Sequence, residues 1–254
     1  MKPLALLFIA SAALGQSLTD PPPLLQIVQK PGYAAAAVKP YSDAHAAVNV
    51  IGLSAVTGLP ESWFLVSHPN FGSLEDLDRA LGAIGAPQSA ASAEGGQDEL
   101  LAPARTLLGA YQPQWSYRPE QASRMFPQAR YFYVTIYRLR NGTEAAFATL
   151  ADLRRANLES SNVARPDIAY EVISGAPHGT YIFVSPIVSL RAVDDGTPDT
   201  PQYALGLADA RAEAKAKTAP SDISREHLLF RVEPRFSYVS DEFAAGNEGF
   251  WRGK

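Results

Sequence analysis

The chain has 254 residues, 46% of them hydrophobic, with 11 Phe, 11 Tyr, 3 Trp, no cysteine and a formal net charge of -4. An apolar fraction near the globular norm excludes a wholly disordered chain, and the slight acidic excess gives no electrostatic ground for nucleic-acid binding. Without cysteine there is no disulfide framework, thiolate metal site or cysteine nucleophile.

Residues 1–15 read as a secretory signal. Lys2 is their only charge, and Leu4–Leu14 is an apolar run too short for a bilayer span of about 20 residues. Small residues at Ala13 and Gly15 suit cleavage before Gln16. The mature chain is therefore expected to be secreted or periplasmic, with no later membrane anchor. Residues 16–23, ending in Pro21-Pro22-Pro23, read as a linker.

A first unit is expected over 24–120. It holds a strand at 24–29, an alanine-rich helix over 33–48 interrupted by Pro40, and a hairpin of 50–56 with 63–68. Ser73 then caps a helix with an apolar face of Leu74, Leu77, Leu81 and Ile84. A small-residue loop covers 86–97, a further helix 100–108, and Trp115 lies on the strand that follows.

Residues 121–130 read as a second linker, and 131–240 as a second unit. Tyr131–Leu139 is a β-rich run ended by the turn Arg140-Asn141-Gly142. Asn141-Gly142-Thr143 fits a glycosylation sequon but is already explained as a turn plus helix cap. Phe147, Leu150, Leu153 and Leu158, with Ala146 nearby, form a helical stripe. Strands at 168–173 and 181–185 flank the Gly175-Ala176-Pro177 turn. A charged, alanine-rich helix over 203–217 and a strand from about His227 to Val232 complete the unit. Residues 241–254 read as a tail.

The units share a grammar. The Gly58-Leu59-Pro60 turn with its aromatic strand matches Gly175-Ala176-Pro177 at an offset of 117. Pro113-Gln114-Trp115-Ser116-Tyr117 matches Pro234-Arg235-Phe236-Ser237-Tyr238 at 121, and the strand ending at Gly32 matches the one ending at Gly142 at 110. Three matches in the same order predict an internal duplication of a β-α-β-β-α-β unit, the ferredoxin-like split. Helices cover only one face of such a sheet. Two copies pressed together would bury the other faces, so the aromatics are expected to form the seam.

Tandem units opening on Gln26-Ile27-Val28-Gln29-Lys30-Pro31-Gly32 resemble the dimeric α+β barrel superfamily. The 116–119 and 174–181 stretches look like secreted bacterial proteins of that type without an assigned activity. The expected fold is α+β, two tandem ferredoxin-like β-α-β-β-α-β repeats packed as an intramolecular barrel. The resemblance implies several chemistries, among them cofactor-free monooxygenases, isomerases and haem proteins, so it does not choose a function.

The four histidines, His45, His68, His178 and His227, show no metal-ligand spacing. Haem-using relatives hold iron through a helix-borne histidine, and His45 is the sole candidate for such a place. No cofactor and no metal are expected. The ligand-pocket candidates are Trp63, His68, Tyr133, Tyr137 and Tyr170, whose aromatic walls and hydroxyl tips suit a small, partly apolar molecule. His68 stands out because the second unit has Pro186 near that place. The expected function is binding of such a ligand between sheet and helices in one half. The alternatives are a cofactor-independent monooxygenase or isomerase, with His68 or tyrosines as acid–base groups, and a structural or interaction protein with no ligand site.

Overall fold

The computed structural model describes residues 20–32, 38, 42–43, 48–67, 73–78, 104–160, 165–193 and 223–253. The signal, most of the 33–48 helix, the 86–97 loop, the 203–217 helix, His45 and His68 lie outside the described residues. No described helix is long and apolar enough to cross a membrane.

Eight strands are described: β1 (Leu24–Pro31), β2 (Asn49–Ala55), β3 (Glu61–Ser67), β4 (Arg105–Tyr111), β5 (Tyr131–Leu139), β6 (Ile168–Ser174), β7 (Thr180–Ile187) and β8 (Ile223–Val232). They close into an antiparallel barrel in the order β1-β3-β2-β8-β5-β7-β6-β4. Three expectations need correction. The helix expected over 100–108 gives way to β4 from Arg105, because Leu24–Gln29 of β1 needs a partner on its second side and pairs with Ala110–Arg105. Barrel closure overrides the helical preference of Leu and Ala. Trp115 sits in the turn after β4 rather than on a strand. The last strand starts at Ile223, which places His227 in mid-strand.

Two four-strand sets have the same internal order, β4-β1-β3-β2 and β8-β5-β7-β6. The seams between them agree in register. Leu53 faces Val232 where β2 meets β8, and Tyr170 faces Tyr111 where β6 meets β4. These pairs stand 117 and 121 positions apart, the offsets read from the sequence. Strand partners then place Val28 opposite Phe64 and Thr135 opposite Phe183 at corresponding points. The β1-to-β5 offset is thus 107 rather than 110. The turn after β5 simply reaches its glycine three residues later. Gly58 and Gly175, at φ 88° and 89°, take the left-handed conformation in the two hairpin turns.

A clasp after the last strand of each set repeats atom for atom. The Ser237 hydroxyl donates to the Glu233 carbonyl and accepts from Gly52 N–H, while Tyr238 and Val50 exchange backbone hydrogen bonds of 2.8 and 2.6 Å. The Ser116 hydroxyl likewise donates to the Gln112 carbonyl and accepts from Ala169 N–H, while Tyr117 and Asp167 exchange bonds of 3.2 and 2.9 Å.

Side-chain alternation divides each strand between two environments. The barrel interior is one cluster drawn from all eight strands, including Leu25, Ile27, Leu53, Trp63, Leu107, Phe132, Val134, Tyr170, Val184 and Phe230. One end is closed by α1 (Pro119–Met125) with a 3-10 turn at Phe126–Gln128, and by α3 (Asp241–Ala245) and α4 (Glu248–Trp251). The stretch read as a tail is thus helical over much of its length. Phe126, Phe243 and Trp251 join the interior cluster, and the Trp251 indole N–H donates to the Pro127 carbonyl at 2.7 Å. Between β5 and β6, α2 (Glu144–Ser160) lies on the outer face and buries Phe147, Leu150, Ala151 and Leu158. Leu153 is partly buried and Ala146 exposed.

Candidate functional site

The four pocket candidates among the described residues do not meet. Trp63 and Tyr170 belong to the packed interior, whereas Tyr133 and Tyr137 point outward from β5 in two separate clusters. His68 lies outside the described residues. The interior seam is mainly aliphatic, with Trp63, Phe132, Tyr170 and Phe230 as its barrel aromatics. The tyrosine face of β5 is turned to the helix layer instead. The reason lies in the alternation of Tyr131–Leu139: the barrel takes Phe132, Val134 and Ile136, and leaves every hydroxyl where a polar partner can reach it.

On that outer face, polar and aromatic groups converge around β5 and β8. Thr135 is buried and sits opposite His227, whose Nδ1 lies 3.1 Å from the threonine hydroxyl. The His227 ring stacks on Tyr133, with centroids 5.3 Å apart and planes at 14°. The buried Arg165 guanidinium lies 5.1 Å from the centre of the Tyr133 ring on β5. The guanidinium and the imidazole thus both pack on the Tyr133 phenol ring. Such contacts orient the three side chains, each contributing about 0.5–2 kcal/mol when desolvated. Ser185, also buried, faces Tyr133 from β7.

Next to this layer, α2 is tied to the sheet by a fully buried ion pair, Arg154 to Asp167 at 2.7 Å. The second Asp167 oxygen accepts the Tyr117 N–H at 3.2 Å, and the Arg154 guanidinium lies 4.4 Å from the Phe183 ring centre. Further along α2 the layer is filled by side chains. Phe147 stacks on Tyr181 at 4.3 Å, and Trp115 meets both rings edge-on at 5.3 Å. Burial pushes the Tyr181 and Tyr117 phenols above their ordinary value, so both are neutral at physiological pH.

Three members of this group carry no signature in the sequence: His227 is a lone histidine, and Thr135 and Arg165 belong to no motif. The available signal was a comparison of aligned halves, which required the 107 and 121 offsets together. Among the described residues there is no group of three His, Asp or Glu placed to hold a metal ion.

No family model matches the sequence, and none of the curated proteins does. Solved structures do. A chlorite dismutase variant from Candidatus Nitrospira defluvii aligns at a TM-score of 0.52 with 12% identity, covering 93% of this chain and 99% of that one. The imidazole complex of the dismutase from the same source gives 0.50 and 13%, over 90% and 96%. An anthrone oxidase-like protein gives 0.48 and 11%, over 83% and 91%. A haem held through a helix-borne histidine does not fit the described residues: their helices carry no histidine, His227 lies on a strand, and aromatic side chains fill the layer beneath α2. The likeness rests on fold alone: the chain is a mixed α/β protein with the fold of the dimeric α+β barrel.

Proposed function

We propose that this chain binds a small, partly apolar ligand on the outer face of its last four strands, at Tyr133, Thr135 and His227. One observation carries the reading. The rung Ala169, Phe183, Thr135, His227 corresponds to Gly52, Phe64, Val28, Thr106 in the first four strands. The same architecture is built without the histidine or the buried hydroxyl, so packing does not demand them. Groups that the scaffold does not require, oriented by stacking and a hydrogen bond, suit recognition. The test is a thermal-shift screen of small aromatic and lipid-like compounds. A compound at 100 times its Kd adds about 2.7 kcal/mol. The reading expects a compound that raises the wild-type Tm and loses its effect in His227→Ala. Shifts equal in both proteins would overturn it.

A second reading, a cofactor-independent monooxygenase or isomerase, rests on the Thr135–His227 contact, which holds the imidazole in one orientation as an acid–base group requires. Oxygen uptake or product formation with the bound compound, abolished by His227→Ala, separates catalysis from binding alone.

The barrel itself we read as two tandem ferredoxin-like repeats. The recurring strand order and the duplicated serine–tyrosine clasp support this. Export is proposed from Lys2 and the Leu4–Leu14 run. Sequencing the N-terminus of the mature protein tests it, with Gln16 expected as the first residue and an intact Met1 as the contrary result.

A further inference from the structure

Asn141 and Gly142 occupy the turn between β5 and α2, and both are exposed. Gly142 holds φ 87° with no atom within 4 Å of where a side chain would stand. Thr143 closes the turn through its N–H and hydroxyl, which donate to the Arg140 carbonyl at 3.1 and 2.7 Å. The Gly142 N–H donates to the Glu144 carboxylate at 3.2 Å. Hydrogen bonds from the backbone at Glu144 and Gly142, helped by His178, hold this carboxyl below its ordinary range.

We propose that Asn141 is a site of spontaneous deamidation whose rate in the native protein is held down by the Glu144 carboxylate. Asparagine is among the thermolabile residues, and a following glycine leaves the attacking nitrogen unshielded. The Gly142 nitrogen bonds to the Asn141 side-chain carbon, and the side-chain amide leaves as ammonia, taking the proton that nitrogen gives up. Water then opens the cyclic imide to aspartate or isoaspartate, with no redox change. The attack requires the nitrogen to lose its proton. A carboxylate accepting that N–H stabilises the protonated form and opposes negative charge on the nitrogen. The product would put a new carboxylate, or an extra methylene in the backbone, at the start of the helix that carries Arg154.

The test follows the one-mass-unit gain at Asn141, with isoaspartate content, in the full chain at mildly alkaline pH. It compares wild type, Glu144→Ala and Glu144→Gln, each native and in urea, with Gly142→Ala as the slow control. The proposal expects native Glu144→Ala to react several-fold faster than native wild type, Glu144→Gln to fall between, and all three to agree in urea. Circular dichroism of the variants checks that α2 persists. Equal native rates for wild type and Glu144→Ala overturn the protective role. A native wild-type protein that reacts as fast as the unfolded chain does so as well.

Discussion

The outer faces of the two four-strand sets share a backbone and differ in chemistry. Around Phe64 the first set places Gly52, Val28, Val50, Val66 and Thr106, with Val50, Val66 and Phe64 packed against Phe236. Around Phe183 the second set places Ala169, Thr135, Asp167, Ser185 and His227. The first set shows that this strand arrangement closes without the buried threonine and aspartate and the histidine that the second set carries. A buried polar group costs about 1–3 kcal/mol when its partner is missing. The second face therefore carries risks that the first avoids, and those risks are where the comparison is tested.

The broadest effect is expected at alkaline pH. Tyr170 and Tyr181 stand where the first set has Leu53 and Ser62. Burial raises both phenols above their ordinary 10.0, and those of Tyr111 and Tyr117 as well. A group whose folded pKa is raised keeps its full stabilising contribution below the unfolded value and loses it as pH rises through the folded one. Stability should thus be flat up to about pH 10 and fall steeply beyond. Phenolate absorbance should lag the ordinary tyrosine titration until circular dichroism reports unfolding. Early, complete phenolate formation in folded protein would remove the claim.

Asp167 is next. Its counterpart is Val50, and Asp167→Ala breaks the buried 2.7 Å ion pair with Arg154, so denaturant unfolding should show a loss of about 3–5 kcal/mol. The double change Asp167→Val with Arg154→Met gives Asp167 its first-set counterpart and removes the paired charge, and should recover most of that loss, since replacing both members of a buried pair by apolar residues is often neutral. If the double variant is no more stable than the single one, the two faces do not follow the same packing logic.

The caps allow a similar comparison. Trp251→Ala removes a ring buried against Phe243 and Phe250 and the indole bond to Pro127, at an expected cost of about 3 kcal/mol in the same assay. A neutral result would mean that residues 241–252 are a tail after all.

Much of this architecture was legible in the sequence because it is periodic. Tyr131–Leu139 and the Ile168–Ser174 and Thr180–Ile187 hairpin alternate cleanly, and the glycine turns mark their ends. Arg105–Tyr111 was not legible, since Thr-Leu-Leu-Gly-Ala suits a helix locally and becomes a strand only because β1 and β6 both pair with it. The site was less readable still. Trp63 and Tyr170 have the residue types of a pocket, but strand parity sends them inward, and a one-residue change of parity decides the face. Thr135 and His227 lie 92 positions apart and meet only through the β5–β8 register.

The most direct test of the central claim converts one face into the other with Thr135→Val, Ser185→Val and His227→Thr, each the residue found at the corresponding place in the first set. The account predicts a Tm within about 4 °C of wild type, or roughly 1 kcal/mol for a chain of this size, together with loss of any ligand-induced shift. A Tm lower by about 10 °C or more, or a ligand shift that survives intact, would contradict it.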